Sequence, residues 1–164
     1  MTEMPRPLAV DRILARSQEI VVTAEAAELA PIAARLRIPT VASLSCRWRL
    51  RPIKSGRIAA DGLLTARVEQ ECVVSLDPFP VTVEHAFTVV FVPAESLSDE
   101  PDDPDAPDVL PYVAPAIDLG EATVEELALA LDPFPRKPGA ELPDQSEPEV
   151  MINPFAALAR RRGS

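Results

Sequence analysis

Histidine is nearly absent from this chain, and cysteine and aromatic residues are scarce. Its 164 residues include one His, two Cys and 4% Phe, Trp and Tyr. Cys46, Cys72 and His85 lie far apart in sequence. A structural zinc site takes four Cys or His ligands at paired short spacings, which this set does not supply. One histidine leaves little capacity for acid–base chemistry near neutral pH. Long apolar runs are missing too, so no transmembrane helix is expected. The opening MTEMPRPLAVDRIL has no extended apolar stretch followed by a small-residue cleavage site. A cytoplasmic protein with no membrane partner and reduced cysteines is therefore expected. What is present is a core: 47% of residues are apolar, in a length that suits one domain.

Charge is unevenly placed. The formal net charge is −10, yet residues 1–72 carry 11 Lys or Arg against 8 Asp or Glu. Residues 73–150 carry 2 against 18, and residues 151–164 carry 3 against none. A globally acidic chain is not drawn to nucleic acid without specificity. Its basic first half and basic end remain available for a local contact.

The 19 prolines punctuate the chain. Residues 94–108 are acidic, Pro-rich and poor in apolar side chains, and read as a mobile loop. Residues 139–150 read as a second linker for the same reason. A helix is expected over 24–36, capped by Thr23, with Leu29, Ile32, Ala33 and Leu36 as its buried stripe. Pro31 should kink it or delay its start to about Ala30. Residues 19–22 read as a short strand. In 41–51, Leu44, Cys46, Trp48 and Leu50 alternate with Ser45, Arg47, Arg49 and Arg51, the period of a half-buried strand. After the turn at 52–56 comes a long strand over 58–74, expected to bend or split at Gly62. A third strand follows over 81–92. Short turns between these strands favour an antiparallel meander. Thr123 and Glu126 match a capping box opening a helix over 123–131, with Val124, Leu127, Ala128 and Leu131 buried. A short last helix is expected over 154–161.

Arg47, Arg49 and Arg51 should therefore point the same way from one strand, with Lys54 and Arg57 in the adjoining turn. Guanidinium groups grip phosphate with paired hydrogen bonds, so this stripe is a candidate RNA contact. An ordinary solvated face with cross-strand partners such as Asp61 is the competing reading. Trp48 belongs to the other face, so base stacking is not expected here. Cys72 and His85 would be a nucleophile and base only if their strands paired closely. Cysteine as a small core hydrophobe is the stronger reading. The acidic run 99–108 has no EF-hand spacing but could hold a basic protein. Arg160, Arg161 and Arg162 could touch RNA or simply complement a helix C-terminus.

Three segments carry a resemblance: 68–80, VEQECVVSLDPFP; 117–140, IDLGEATVEELALALDPFPRKPGA; and 153–160, NPFAALAR. In content and order they resemble the YceD-like family, the large ribosomal RNA subunit accumulation proteins, in a form similar to the alphaproteobacterial branch. The resemblance covers about residues 40 to 160. It implies a non-enzymatic factor in ribosome biogenesis, with large-subunit pre-rRNA, an assembling particle or a ribosomal protein as partner. Many members carry a C-x-x-C pair in the first segment, which suggests metal binding there. This chain keeps Cys72 but has Ser75 at the second position, a very poor zinc ligand. No metal, cofactor or catalytic residue is therefore expected. At the matched positions, Asp118 should cap or turn the chain into its helix, and Leu127 and Leu131 should bury that helix on the sheet. Residues 133–138 should form an extended strap presenting Arg136 and Lys137 as surface contacts, or pairing them with Asp132.

The fold expected is α+β: an antiparallel β-meander, able to curl into a barrel-like sheet, packed with two main helices and followed by a short C-terminal helix. Residues 1–140 should form one domain, and 141–164 a linker with that last helix.

Overall fold

Alternation at period two builds most of the molecule. A computed structural model describes residues 2–97 and 103–142. In chain order the elements are β1 (Pro7–Ala9), α1 (Val10–Ala15), β2 (Gln18–Thr23), α2 (Ala26–Leu36), β3 (Thr40–Pro52), β4 (Ile58–Glu71), β5 (Pro78–Pro93), β6 (Asp108–Tyr112), β7 (Ala116–Asp118) and α3 (Leu119–Ala130). The fold is α+β, as expected. Five strands form one sheet in the order β2-β3-β4-β5-β6, and β1 pairs with β7 in a separate two-stranded sheet. The meander holds for β3, β4 and β5, with β2 antiparallel beside β3. It fails at β6, which runs parallel to β5. A parallel return needs a crossover of about a dozen residues, and the acidic segment is that connection. The sheet ends at β2 and β6 and does not close into a barrel.

One face of the sheet is buried. Leu44, Cys46, Trp48 and Leu50 of β3 and Ile58, Ala60, Leu64, Ala66 and Val68 of β4 join the core with Ile32, Ala33, Val124 and Leu127 of the helices. Ser55 and Gly56, at the turn between β3 and β4, both have positive φ, which suits the right-handed twist of a hairpin. β4 runs unbroken through Gly62, contrary to the expected split. Gly62 lies between Trp48 and Phe87 in the ladder. A Cβ there would stand 2.1 Å from the Phe87 ring, so the missing side chain is the seat of an aromatic, not a hinge.

Two helix starts differ from expectation. α2 begins after Glu25, whose backbone N–H donates to the Glu28 carboxylate at 2.7 Å; Thr23 remains in β2. α2 continues through Pro31. Ala27 and Pro31 are both exposed, so the carbonyl that proline leaves unbonded lies on the solvent side. α3 begins four residues before Thr123. Asp118 is its cap, accepting from the N–H groups of Gly120 (3.0 Å) and Glu121 (3.1 Å). Thr123 and Glu126 are instead buried inside the helix, and Ala128 is exposed. α1, β1, β6 and β7 were not expected. The acidic segment contains a 3-10 turn at Ala94–Ser96 and a turn at 103–106, and ends where β6 begins. The expected helix over 154–161 and the linker over 143–150 lie outside the described residues.

Candidate nucleic-acid interface

The helices pack on one face of the sheet, and the other carries the predicted arginines. Arg47, Arg49 and Arg51 are exposed at alternate positions of β3, about 6.8 Å apart along an antiparallel strand. Each has an acidic neighbour. Glu19 of β2 stands 3.8 Å from Arg47 and 3.7 Å from Arg49, and Asp61 of β4 bonds Arg51 at 3.1 Å. The cross-strand partners are therefore real, and Glu19 is one the sequence did not disclose. Lys54 and Arg57 continue the row into the turn and form no ion pair among the described residues. Arg67 of β4 is a further basic residue on this face. It is exposed and paired with Ser43. Counting back from the 52–58 hairpin could have found it, because Arg51↔Ala59, Arg49↔Asp61 and Ser43↔Arg67 share one register.

Arg136 and Lys137 are elsewhere. The segment expected as a strap, 133–138, is held with Asp132 across the end of β4. Gln70 donates to the Asp132 carbonyl at 3.0 Å, and Val73 N–H to the Pro135 carbonyl at 2.9 Å. Lys137 faces Asp77 at 3.9 Å, not Asp132. Asp61 and Cys72 are separated by nearly the whole of β4, about 35 Å of extended strand. The two strap cations and the arginine row therefore occupy opposite ends of the sheet and form no single patch.

Cys72 sits under the strap, free of solvent exposure but outside the core cluster. Its thiol is pulled down to about 6, first by the Ser75 hydroxyl and then by the backbone N–H groups of Ser75 and Lys137. Those N–H groups stand 3.5 and 3.3 Å from Sγ. His85 lies opposite Leu64, about 27 Å along β4 from Cys72. The two cannot act as nucleophile and base. Nor do the residues around Cys72 fit a metal: the Ser75 hydroxyl is a very poor zinc ligand, and no group of three His, Cys, Asp or Glu gathers among the described residues. Cys46 is pushed up to about 12 by burial and is a core residue.

His85 has another partner. Its Nε2 lies 3.6 Å from Oε2 of Glu126 on α3, and its ring stacks on Phe87 at 5.5 Å. Burial raises the Glu126 carboxyl above its ordinary range; His85 opposes this, while Asp108 and Glu125 add to it. Folded Glu126 thus holds its proton more tightly than unfolded Glu126 does. The stability this contributes is present below the ordinary carboxylate pKa and is lost as pH rises through the raised one. The stability of a Glu126→Gln variant relative to the parent is expected to improve as pH rises from about 4 to about 7. Urea unfolding at both pH values measures this, and a constant difference would contradict it.

Comparison with known families identifies a match. The family described as large ribosomal RNA subunit accumulation protein YceD matches residues 60–160, more than half of the chain. The chain belongs to the YceD family. No curated protein and no solved structure matches it. The family's description assigns it a role in large-subunit ribosomal RNA accumulation. The YceD match contains β4 from Ala60 onward, β5, α3 and the strap. Arg47, Arg49, Arg51, Lys54 and Arg57 precede it. No helix among the described residues is long and apolar enough to cross a membrane.

Proposed function

We propose that this chain supports large-subunit rRNA accumulation in the bacterial cytoplasm by binding pre-rRNA or an assembly intermediate through the open face of its sheet. Arg47, Arg49 and Arg51, extended by Lys54 and Arg57, are the contact; Arg136 and Lys137 at the far end contribute separately. Residues 1–140 are the unit that folds. The observation carrying this reading is the row of exposed arginines on the sheet face that no helix among the described residues covers, in a chain whose other half is strongly acidic. Charge reversal at all three arginines tests it. Phosphate binding releases counterions, so three contacts should make association fall about 20- to 40-fold between 50 and 200 mM salt. On sucrose gradients, the parent should co-migrate with large-subunit precursors at low salt and leave them as salt rises. The folded triple variant should remain at the top at every salt. Equal migration of parent and variant would remove the face from the mechanism.

A second reading makes the chain an adaptor or chaperone for a basic ribosomal protein. It is favoured by exposed Asp103 and Asp105 in the crossover between β5 and β6, with exposed Asp108 at the start of β6, and by the net charge of −10. Deleting part of the acidic segment should then abolish capture of that protein while leaving RNA association unchanged.

A further inference from the structure

Two arginines of this chain are locked in forked ion pairs. Arg6 forks onto Glu28 with bonds of 2.8 and 2.8 Å. Arg35 forks onto Glu121 at 2.9 and 2.6 Å and reaches Glu3 at 2.7 Å. Both guanidinium groups are held more firmly protonated by those carboxylates. These pairs tie separate segments of the fold together. Asp61 on the sheet face is likewise fixed, between Arg51 and the Thr88 hydroxyl, each at 3.1 Å.

Glu19 differs. It sits on the edge strand β2, about half exposed, opposite Arg49 and diagonal to Arg47. It approaches both guanidinium groups, yet at 3.8 and 3.7 Å neither contact is a hydrogen bond. Two cations thus flank one acceptor that satisfies neither. A phosphate presents several oxygens in different directions and can give both guanidinium groups short, charge-assisted bonds. The side chains beside this pair are Val21 and Leu63, both exposed. The nearby aromatics, Trp48, Phe87 and Phe91, pack together on the opposite face. This part of the face offers no stacking platform for bases.

We propose that Glu19 occupies the seat of an RNA phosphate between Arg47 and Arg49, and that the face takes the RNA backbone, irrespective of sequence, by exchanging this carboxylate for a phosphate. This rests on the RNA-binding reading above and specifies how that site is held when empty. Glu19→Gln removes the competing charge and leaves an exposed strand position. Glu125→Gln, on the exposed side of α3, makes the same change in net charge away from the face and serves as the control.

The test is fluorescence anisotropy of the full chain with two labelled RNA hairpins of equal length and unrelated sequence, at about 100 mM salt. Removing one unit charge at this distance in water should tighten binding by Glu19→Gln about three- to tenfold for both hairpins. Glu125→Gln should stay within about twofold of the parent. Binding by Glu19→Gln that is unchanged or weaker, while the parent binds, would overturn the exchange and leave the RNA-binding reading standing. An equal gain from Glu125→Gln would reduce the effect to net charge and overturn it too. Tightening on one hairpin alone would overturn the backbone assignment. A parent that binds neither hairpin would overturn both readings.

Discussion

Replacing Trp48 with alanine should remove about 4 kcal/mol of folding stability, within the range for truncating a buried aromatic. Trp48 has no solvent exposure. Its ring meets Phe87 edge-on at 5.1 Å and Phe91 at 6.0 Å. Its Nε1–H donates to the Thr123 hydroxyl at 3.0 Å, and that hydroxyl donates to the Leu119 carbonyl at 2.7 Å. The side chain therefore joins sheet to helix by packing and by a hydrogen bond. Truncation leaves a cavity under α3 and strips the seat from which Phe87 covers Gly62. A typical domain is stable by about 5–15 kcal/mol, so the variant should be close to the edge of folding. Urea unfolding followed by far-ultraviolet circular dichroism reads the loss, since Trp48 is the one tryptophan and fluorescence disappears with it. Trp48→Phe keeps much of the packing and loses only the donor; it should cost clearly less than alanine. Equal costs would mean that the hydrogen bond, not the ring, couples the two layers.

Gly120→Ala should cost about 3 kcal/mol, the upper end of overpacking. A Cβ at this position would stand 1.7 Å from the Met4 carbonyl oxygen and 2.9 Å from its carbon. The obstruction is backbone, which cannot swing aside as a side-chain tip does. Met4 is buried, and the Arg6 N–H bonds to Asp118 at 2.9 Å. To make room, the N-terminal segment would have to lift away from α3, breaking the Pro7↔Asp118 pairing as it goes. The thermal midpoint should fall, and amide exchange should quicken in residues 4–9 before the main sheet. Protection confined to its parental pattern would show that the segment adjusts without lifting.

Where the sequence was legible, the reason was parity. Eight residues of unbroken alternation in β3, Leu44–Arg51, placed Trp48 inside and Arg47, Arg49 and Arg51 outside, and both assignments hold. The capping box at Thr123 misled for a physical reason. A Thr followed by Glu three residues on has the composition of a cap, yet here both side chains serve partners that lie far away in sequence, buried Trp48 and half-buried His85. Asp118, read from the family segment, was the true cap. β1, β7 and α1 are three to six residues long, too short for any period to show. β6 was masked by its acidic approach and by Pro111. Glu19 was out of reach because β2 and β3 are joined through α2, so no hairpin count could place it beside Arg49.

The pairing of Pro7 with Asp118 also sets an order of events during synthesis. The first ten residues leave the ribosome long before the partner that completes their two-stranded sheet exists. At about 5–20 residues per second, a nascent chain holds Met4 and Leu8 without that partner for on the order of ten seconds. The β3–β4–β5 hairpins, whose contacts are local, can assemble in that interval. Residues 7–9, though made before the main sheet, can complete their pairing only once Asp118 has emerged.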